Sequence, residues 1–171
     1  GVVLETDTVS GTALSANEIK INDVLVGAST TGQASSIADA INAVSSSSGV
    51  TANAFNEVQL ALNFGAMPGG TTEFFVNATA INVTSANGIE GVVTAINNAS
   101  VGDIRAKANS DGAVTLSSQS GVDISVTHQG DTDFIRAFKD VNGTVSTNGI
   151  IGGSDEDVDS LRASAAITNT N

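Results

Sequence analysis

An internal repeat is the feature that most restricts how this chain can fold. The tripeptide Ala-Ile-Asn occurs at residues 40–42 and again at residues 95–97, an offset of 55 positions. In both places a small or β-branched residue, Ala38 or Val93, stands two positions before it. Two copies of one motif with similar flanking patterns predict two copies of one supersecondary unit within the 171 residues.

A strand pattern precedes each copy of the tripeptide. Residues 18–26 read EIKINDVLV and residues 74–84 read FFVNATAINVT, and apolar residues alternate in both segments. The alternating positions are Ile19, Ile21 and Val24 in the first copy, and Phe74, Val76, Ala78 and Ala80 in the second. A period of two predicts a half-buried strand in each place.

A helical pattern surrounds each copy of the tripeptide. Apolar residues recur at spacings of three and four, which puts them on one face of an amphipathic helix. They are Ala34, Ile37, Ala38, Ile41 and Val44 in the first copy, and Ile89, Val92, Val93, Ile96 and Ala99 in the second. Thr31 or Ser35 is expected to cap the start of the first helix, and the serine-rich residues 45–49 to end it.

Further strand patterns follow each helix. They cover residues 50–56 and 57–63 in the first copy, and residues 103–109, 113–117 and 122–128 in the second. Ser110-Asp111-Gly112 predicts a tight hairpin between the first two strands of the second copy. Each repeat is therefore a βαββ unit, and the predicted fold class is α+β with mainly antiparallel sheets.

The pattern changes after residue 130. A helix is predicted over residues 131–141, and a second short helix over residues 155–167 with Ser154 as its N-cap. The first prediction rests on the helical spacing of Phe134, Ile135, Phe138 and Val141.

These elements predict three segments along the chain. They are a first repeat with its leading strand in residues 1–66, a second repeat in residues 67–130, and a helical return segment in residues 131–171. We expect the return segment to pack on the first repeat. A single domain and separate lobes both agree with this pattern.

Charge and residue content exclude most functional classes. The chain carries 18 Asp and Glu residues against six Lys and Arg, a net charge of −12. That charge excludes binding to nucleic acid, which needs clustered Lys and Arg, and argues against docking on an anionic membrane. The absence of Cys excludes disulfides, thiolate zinc sites and cysteine nucleophiles. With one His and no Trp or Tyr, we expect no enzyme activity, no catalytic residue and no cofactor.

One acidic segment has part of the pattern of a calcium loop. Residues 155–159 place carboxylates at its first, third and fifth positions. An EF-hand requires Gly at the sixth position and Glu at the twelfth, where this chain has Ser160 and Ala166. We therefore interpret the segment as the acidic first turn of a helix, which the helix dipole favours, and predict no metal site.

The single histidine is the other candidate for chemistry. His128 lies near Asp123, Asp131 and Asp133 in the sequence, as a weak metal site or a base would require. No second imidazole or nucleophile accompanies it. The favoured interpretation is a histidine at a strand end, beside the cap of the predicted helix over residues 131–141.

Asn42 and Asn97 end the two copies of the tripeptide. A functional interpretation is contact with a ligand. The structural interpretation, which we favour, is a side chain near the helix end that hydrogen-bonds the backbone of the following turn. On that interpretation, Asn42→Ala costs on the order of 1 kcal/mol of stability.

The doubled βαββ unit resembles the flagellin hook IN motif, which is repeated in the variable outer domains of bacterial flagellins and in some hook-associated proteins. The matching positions that define the motif are Ile19, Ile21, Asn22, Ile37, Ile41 and Asn42 in the first copy, and Val92, Ile96 and Asn97 in the second. Further matches are Ala40, Gly49, Val50, Thr51 and Ala52, then Ala95, Leu116, Ser117, Ser118, Gly121, Ile124 and Val126. The resemblance covers residues 18–63 and 73–128, about 60% of the chain.

Two departures from the family pattern are visible. The first strand of the motif commonly reads Ile-Asn-Gly, whereas this chain has Asp23 after Asn22. The segment between strand and helix is also shorter in the second copy. The long, heptad-patterned terminal helices through which flagellins polymerise have no counterpart in these 171 residues.

The resemblance implies a structural role. The chain would be the central, outward-facing insert of a flagellin, an excised or processed piece located on the extracellular bacterial flagellum. Its partners would be other flagellin protomers, through terminal helical regions outside this chain, and the isolated domain would be a monomer. Two alternatives remain open: an IN-motif domain of a hook-associated or cap protein, and a carbohydrate-binding adhesin module. Ser/Thr/Asn-rich strands suggest the adhesin, although such modules usually stack sugars on Trp or Tyr.

Overall fold

The computed structural model describes residues 4–8, 11–67, 70–129, 134–139, 145–147, 158–163 and 166–169. Its helices and strands, in chain order, are β1 (Leu4–Thr8), β2 (Lys20–Ile21), β3 (Val24–Leu25), α1 (Ala34–Asn42), α2 (Ser45–Ser48), β4 (Ala52–Leu62), β5 (Thr71–Val76), β6 (Thr79–Thr84), α3 (Gly88–Ala99), β7 (Arg105–Ala108), β8 (Val114–Ser118), β9 (Ile124–Gln129), β10 (Ile135–Lys139), β11 (Val145–Thr147), β12 (Val158–Ala163) and β13 (Ala166–Asn169). Helices and mostly antiparallel strands confirm the predicted α+β class.

The chain divides into two compact units. Unit 1 comprises Gly1–Asn56, Ser118–Asp123 and Ser164–Asn171, and unit 2 comprises Glu57–Ser117 and Ile124–Ala163. These units differ from the predicted segments 1–66, 67–130 and 131–171. Strand pairing divides the predicted return segment between the two units. β12 joins a sheet of unit 2, and β13 joins the sheet of unit 1.

Unit 1 packs α1 with short strands around a core of small side chains. Strand β13 pairs antiparallel with β1 and with the first residues of β4, while β2 and β3 form a separate hairpin. The buried cluster consists of Leu14, Val26, Ala34, Ile37, Ala38, Ala40, Ile41, Ala52 and Ala54. Five of these lie on α1, and four of the five, Ala34, Ile37, Ala38 and Ile41, were predicted from the spacing of three and four. The predicted Val44 follows the helix and is partly buried.

Unit 2 contains a four-stranded antiparallel sheet in the order β12-β9-β5-β6. The later residues of β4 pair with β10, β10 pairs with β11, and β7 pairs with β8. Large side chains fill this core, and Phe74, Phe134, Leu60 and Ile96 are each fully buried. The rings of Phe74 and Phe134 have their centroids 5.8 Å apart.

Both strand patterns that precede the helices fold as hairpins, not as single strands. β2 and β3 are separated by two residues, and so are β5 and β6. In the second copy the turn reverses which positions face the core. Ile81 and Val83 are therefore buried where Ala78 and Ala80 were expected, and those two alanines are exposed.

Local details of the first repeat also differ from prediction. Neither Thr31 nor Ser35 caps α1, which starts after Gln33 without a side-chain cap. The serine run forms α2, and Gly49 ends that helix with φ +70°. Residues 50–56 and 57–63 were predicted as two strands, and the structure has the single strand β4 (Ala52–Leu62) in their place.

The predicted helix over residues 131–141 is wrong. Residues 135–139 form β10, which has β4 on one side and β11 on the other. Phe134 and Ile135 are adjacent and both fully buried, which suits extended backbone whose successive side chains point to opposite faces at the start of the strand. Residues 131–133 and 140–141 lie outside the described part of the chain.

The predicted helix over residues 155–167 is wrong as well, so the return segment is not helical where it is described. Residues 158–163 form β12 and pair with β9 along six consecutive positions. Residues 166–169 form β13. The sheet edge at β9 offers unpaired backbone groups, and satisfying them outweighs the local preference for helix. Ser154 and residues 155–157 lie outside the described residues, so the acidic helical turn is not observed.

Candidate functional site

Asn42 joins the end of α1 to the start of β4 through two hydrogen bonds. Its Nδ2 donates to the carbonyl oxygen of Ala52 at 2.8 Å, and its Oδ1 accepts from the N–H of Ala52, also at 2.8 Å. The side chain is half-buried and Ala52 is buried. The amide thus pairs with one backbone residue as a neighbouring strand would.

Asn97 makes the same arrangement in unit 2. Its Nδ2 donates to the carbonyl oxygen of Ala106 at 3.0 Å, and its Oδ1 accepts from the Ala106 N–H at 2.8 Å. Ala106 lies in β7, nine residues after Asn97, whereas ten residues separate Asn42 from Ala52. We call these two arrangements the asparagine bridges. They agree with the structural interpretation of both residues, with a strand in place of a turn as the partner.

A second pair of asparagines lies at the hairpin turns. Asn22 and Asp23 have φ values of 48° and 67°, and Asn77 and Ala78 have values of 45° and 65°. Two positive φ values in a two-residue loop define the mirror-image turn that matches strand twist, and Asn tolerates this conformation well. Asp23 therefore takes the conformation that glycine would favour in the Ile-Asn-Gly pattern.

Each turn asparagine also hydrogen-bonds its hairpin to another segment of the same unit. The Asn22 Nδ2 donates to the carbonyl oxygen of Ser48 at 2.9 Å. The Asn77 Oδ1 accepts from the N–H of Ser125 at 2.7 Å, and the Asn77 N–H donates to the Ser125 carbonyl at 2.9 Å. In each unit, one asparagine therefore anchors the hairpin, and a second asparagine anchors the end of the helix.

The sequence comparison missed Asn77. Twenty residues separate Asn22 from Asn42, and twenty separate Asn77 from Asn97. Extending the 55-residue offset backward from the tripeptides therefore aligns Asn22 with Asn77. The link between hairpin and helix is shorter in the second copy, as predicted, and longer strands β5 and β6 make up the difference.

The apolar motif residues occupy different degrees of burial. Ile37 and Ile41 are buried in unit 1, at 8% and 9% exposure, and Val92 and Ile96 are fully buried in unit 2. Ile21 is half-buried, whereas Ile19 is exposed. The helix positions therefore contribute to the two cores, and the hairpin positions Ile19 and Ile21 contribute less to the core of unit 1.

His128 lies in β9 and is buried. Its Nε2 is 2.9 Å from the Oγ1 of Thr72, and its ring centroid is 5.8 Å from that of Phe134. Burial lowers the pKa of His128 below its ordinary value of 6.5. Asp131 and Asp133 lie outside the described residues, and the cap expected beside His128 belonged to the helix that β10 replaces.

The described residues contain no cluster of three or more His, Asp or Glu side chains that could hold a metal ion. The asparagine bridges carry neither a titratable group nor a nucleophile. What they can do is hold a strand in register against a helix end. In the described ranges, no helix has the length and apolar content needed to cross a bilayer.

Comparisons of the sequence with known proteins assign neither a family nor a function. No family model matches the chain, and no curated protein matches its sequence significantly.

Proposed function

We propose that this chain is the surface-exposed variable domain of a flagellin, the structural subunit of the bacterial flagellar filament. The observation that carries the proposal is the duplicated unit, in which a hairpin with a turn asparagine precedes a helix that ends in a bridging asparagine. The resemblance to the flagellin hook IN motif includes three of these four asparagines, Asn22, Asn42 and Asn97. The repetition of this unit fits a structural module better than a binding site, because the bridging asparagine of each copy pairs with the backbone of its own unit.

The strand pairing of unit 1 supports the role of an insert. β1 and β13 are the first and last strands described, and they pair antiparallel, with Leu4 opposite Asn169. A chain that enters and leaves a domain on adjacent strands can be inserted into a host protein with little distortion of the host. Flagellin protomers would then contact one another through helical regions outside this chain.

Composition supports the same proposal. A net charge of −12 favours solubility and mutual repulsion on a densely repeated extracellular surface. The chain has no Cys and only six Phe as its aromatic residues. A chain of this kind forms no disulfides and unfolds at low cost, as export through a narrow channel requires.

A fusion experiment tests the proposal. The chain is inserted into a flagellin that lacks its own outer domain, and the filaments are imaged by cryo-electron microscopy beside filaments of the host alone. We expect additional density at the outer radius along the whole filament. Density at the inner tube, or loss of filaments despite a soluble fusion, would overturn the proposal. Incorporation at the filament tip alone would favour the cap-protein alternative.

A further inference from the structure

We propose that His128 makes unit 2 acid-labile: proton uptake by its ring loosens the sheet around β5 and β9, while unit 1 keeps its structure. This device is independent of the flagellin proposal. His128 is the only histidine of the chain, so no imidazole exists in unit 1.

The surroundings of the His128 ring explain why its protonation would loosen the sheet. His128 is 2% exposed and lies opposite Phe74 in the register of β5 and β9. Its Nε2 has Thr72 as partner, whereas its Nδ1 is buried and has no hydrogen-bond partner among the described residues. A neutral ring tolerates this, because one nitrogen needs no donor. A protonated ring carries two N–H donors and a charge, and one donor then faces the core without an acceptor.

Among the side chains that the structure describes, no charged group supplies that acceptor. β5 carries Glu73, which is exposed, and β10 carries the exposed Arg136 and Lys139. β12 carries Arg162, and Asp159, which is opposite His128 in the register. β9 itself carries no charged residue besides His128. Asp159 is thus the one carboxylate whose position in the sheet requires a separate test.

The direction of the effect follows from linkage. An unfolded histidine binds its proton near pH 6.5, whereas the folded ring resists protonation through burial, which lowers its pKa. Well above pH 6.5 the His128 ring is neutral in both states, so it adds no pH dependence to folding. As the pH falls below 6.5, the unfolded state gains a proton that the folded state refuses. The ratio of folded to unfolded protein then falls by up to about tenfold per pH unit, until the folded-state pKa is reached.

Two measurements on the whole chain test the proposal. The ring resonances of a single histidine need no assignment, so proton NMR gives the folded-state pKa directly. Hydrogen exchange with mass spectrometry then reports protection in β5, β9 and α1 at pH 7.5 and pH 5.5, corrected for intrinsic rates. We expect a folded-state pKa below 6.5 and up to about tenfold less protection in β5 and β9 at pH 5.5. Protection in α1 is expected to stay the same.

Variants separate His128 from its neighbours. His128→Gln removes the titration and is expected to abolish the acid-dependent loss, whereas Thr72→Val keeps the ring and is expected to retain it. Asp159→Asn is expected to retain the loss as well. A folded-state pKa at or above 6.5, an undiminished loss in His128→Gln, or its disappearance in Asp159→Asn would each overturn the proposal. If His128→Gln does not fold, the NMR titration of the unaltered protein still decides.

Discussion

Replacing a bridging asparagine by alanine tests whether the duplicated motif stabilises each unit. Asn97→Ala removes two hydrogen bonds to Ala106, and Asn42→Ala removes two to Ala52. Each bond contributes about 1 kcal/mol net, and the higher helix propensity of alanine returns roughly 0.5 kcal/mol. We therefore expect each variant to lose about 1.5 kcal/mol, more than the 1 kcal/mol expected for Asn42→Ala from sequence.

Urea unfolding followed by far-UV circular dichroism measures this loss, since the chain has no Trp or Tyr to serve as a fluorescent probe. With a slope of about 1–3 kcal/mol per molar urea, the midpoint is expected to fall by about 0.5–1.5 M. Hydrogen exchange assigns the loss to a unit. Asn42→Ala should lower protection in α1 and the start of β4, and Asn97→Ala should lower it in α3 and β7.

Asn98→Ala is the matched control. Asn98 follows Asn97 on α3, is exposed, and has no side-chain hydrogen bond within the described ranges. Its replacement is expected to change stability by about 0.5 kcal/mol or less, and in the stabilising direction. The reasoning is refuted if Asn42→Ala and Asn97→Ala unfold at the same urea concentration as Asn98→Ala.

Three further predictions use the same unfolding assay. Ala78→Gly relieves a positive φ of 65° and is expected to raise the free energy of unfolding by about 0.5–1 kcal/mol. Ala80→Gly, in the strand that follows the turn, is expected to lower it. Equal effects of the two variants would contradict the turn assignment. Gly121 has φ +70°, and a Cβ there would lie 2.8 Å from the carbonyl carbon of Ala54, so Gly121→Ala is expected to cost about 2–4 kcal/mol. Phe134→Leu removes ring contacts in the core of unit 2 and is expected to cost about 1–3 kcal/mol; a cost under about 0.5 kcal/mol would mean that the aromatic geometry adds little.

Elements whose core face follows a local period were predictable from sequence. In α1 four of the five predicted apolar positions are buried, among them Ile37 and Ile41. In α3 Val92 and Ile96 are buried, and the other three predicted positions are partly buried. The hairpin of β7 and β8 was predictable because Gly112, at φ +84°, stands where its turn needs a positive φ.

The turn within residues 74–84 was not recognised because no glycine marks it. Asn77 and Ala78 take positive φ values without one. The buried positions change parity across the turn: Phe74 and Val76 are buried in β5, and Ile81 and Val83 are buried in β6. Phe75, at an odd position of β5, obscures this change in the sequence. Because a two-residue loop makes the chain fold back on itself, the buried face passes from even to odd numbers.

The strands of the last forty residues depend on partners that are distant in sequence. Leu161 is opposite Val126 and Phe138 is opposite Leu60 in the observed registers. The local pattern of residues 131–141 suits a helix as well as a strand, and the backbone groups offered by β4 and β11 decide between them. A single sequence does not reveal that such edges are available.

The bridges themselves show why the tripeptide was the most informative signal. Pairing both the N–H and the carbonyl of one backbone residue needs a donor and an acceptor on one short side chain, and asparagine has both. Aspartate at Asn42 or Asn97 would keep the bond from the N–H but set a carboxylate against a carbonyl oxygen. The segment between each bridging asparagine and its partner is less restricted. Ten residues separate Asn42 from Ala52, with α2 and Gly49 between them, and nine separate Asn97 from Ala106, with Ser100 at φ 53° between them. In a repeat built in this way, the loops can differ between copies while the turn asparagine and the bridging asparagine keep the same spacing. A comparison at one constant offset detects that shared spacing.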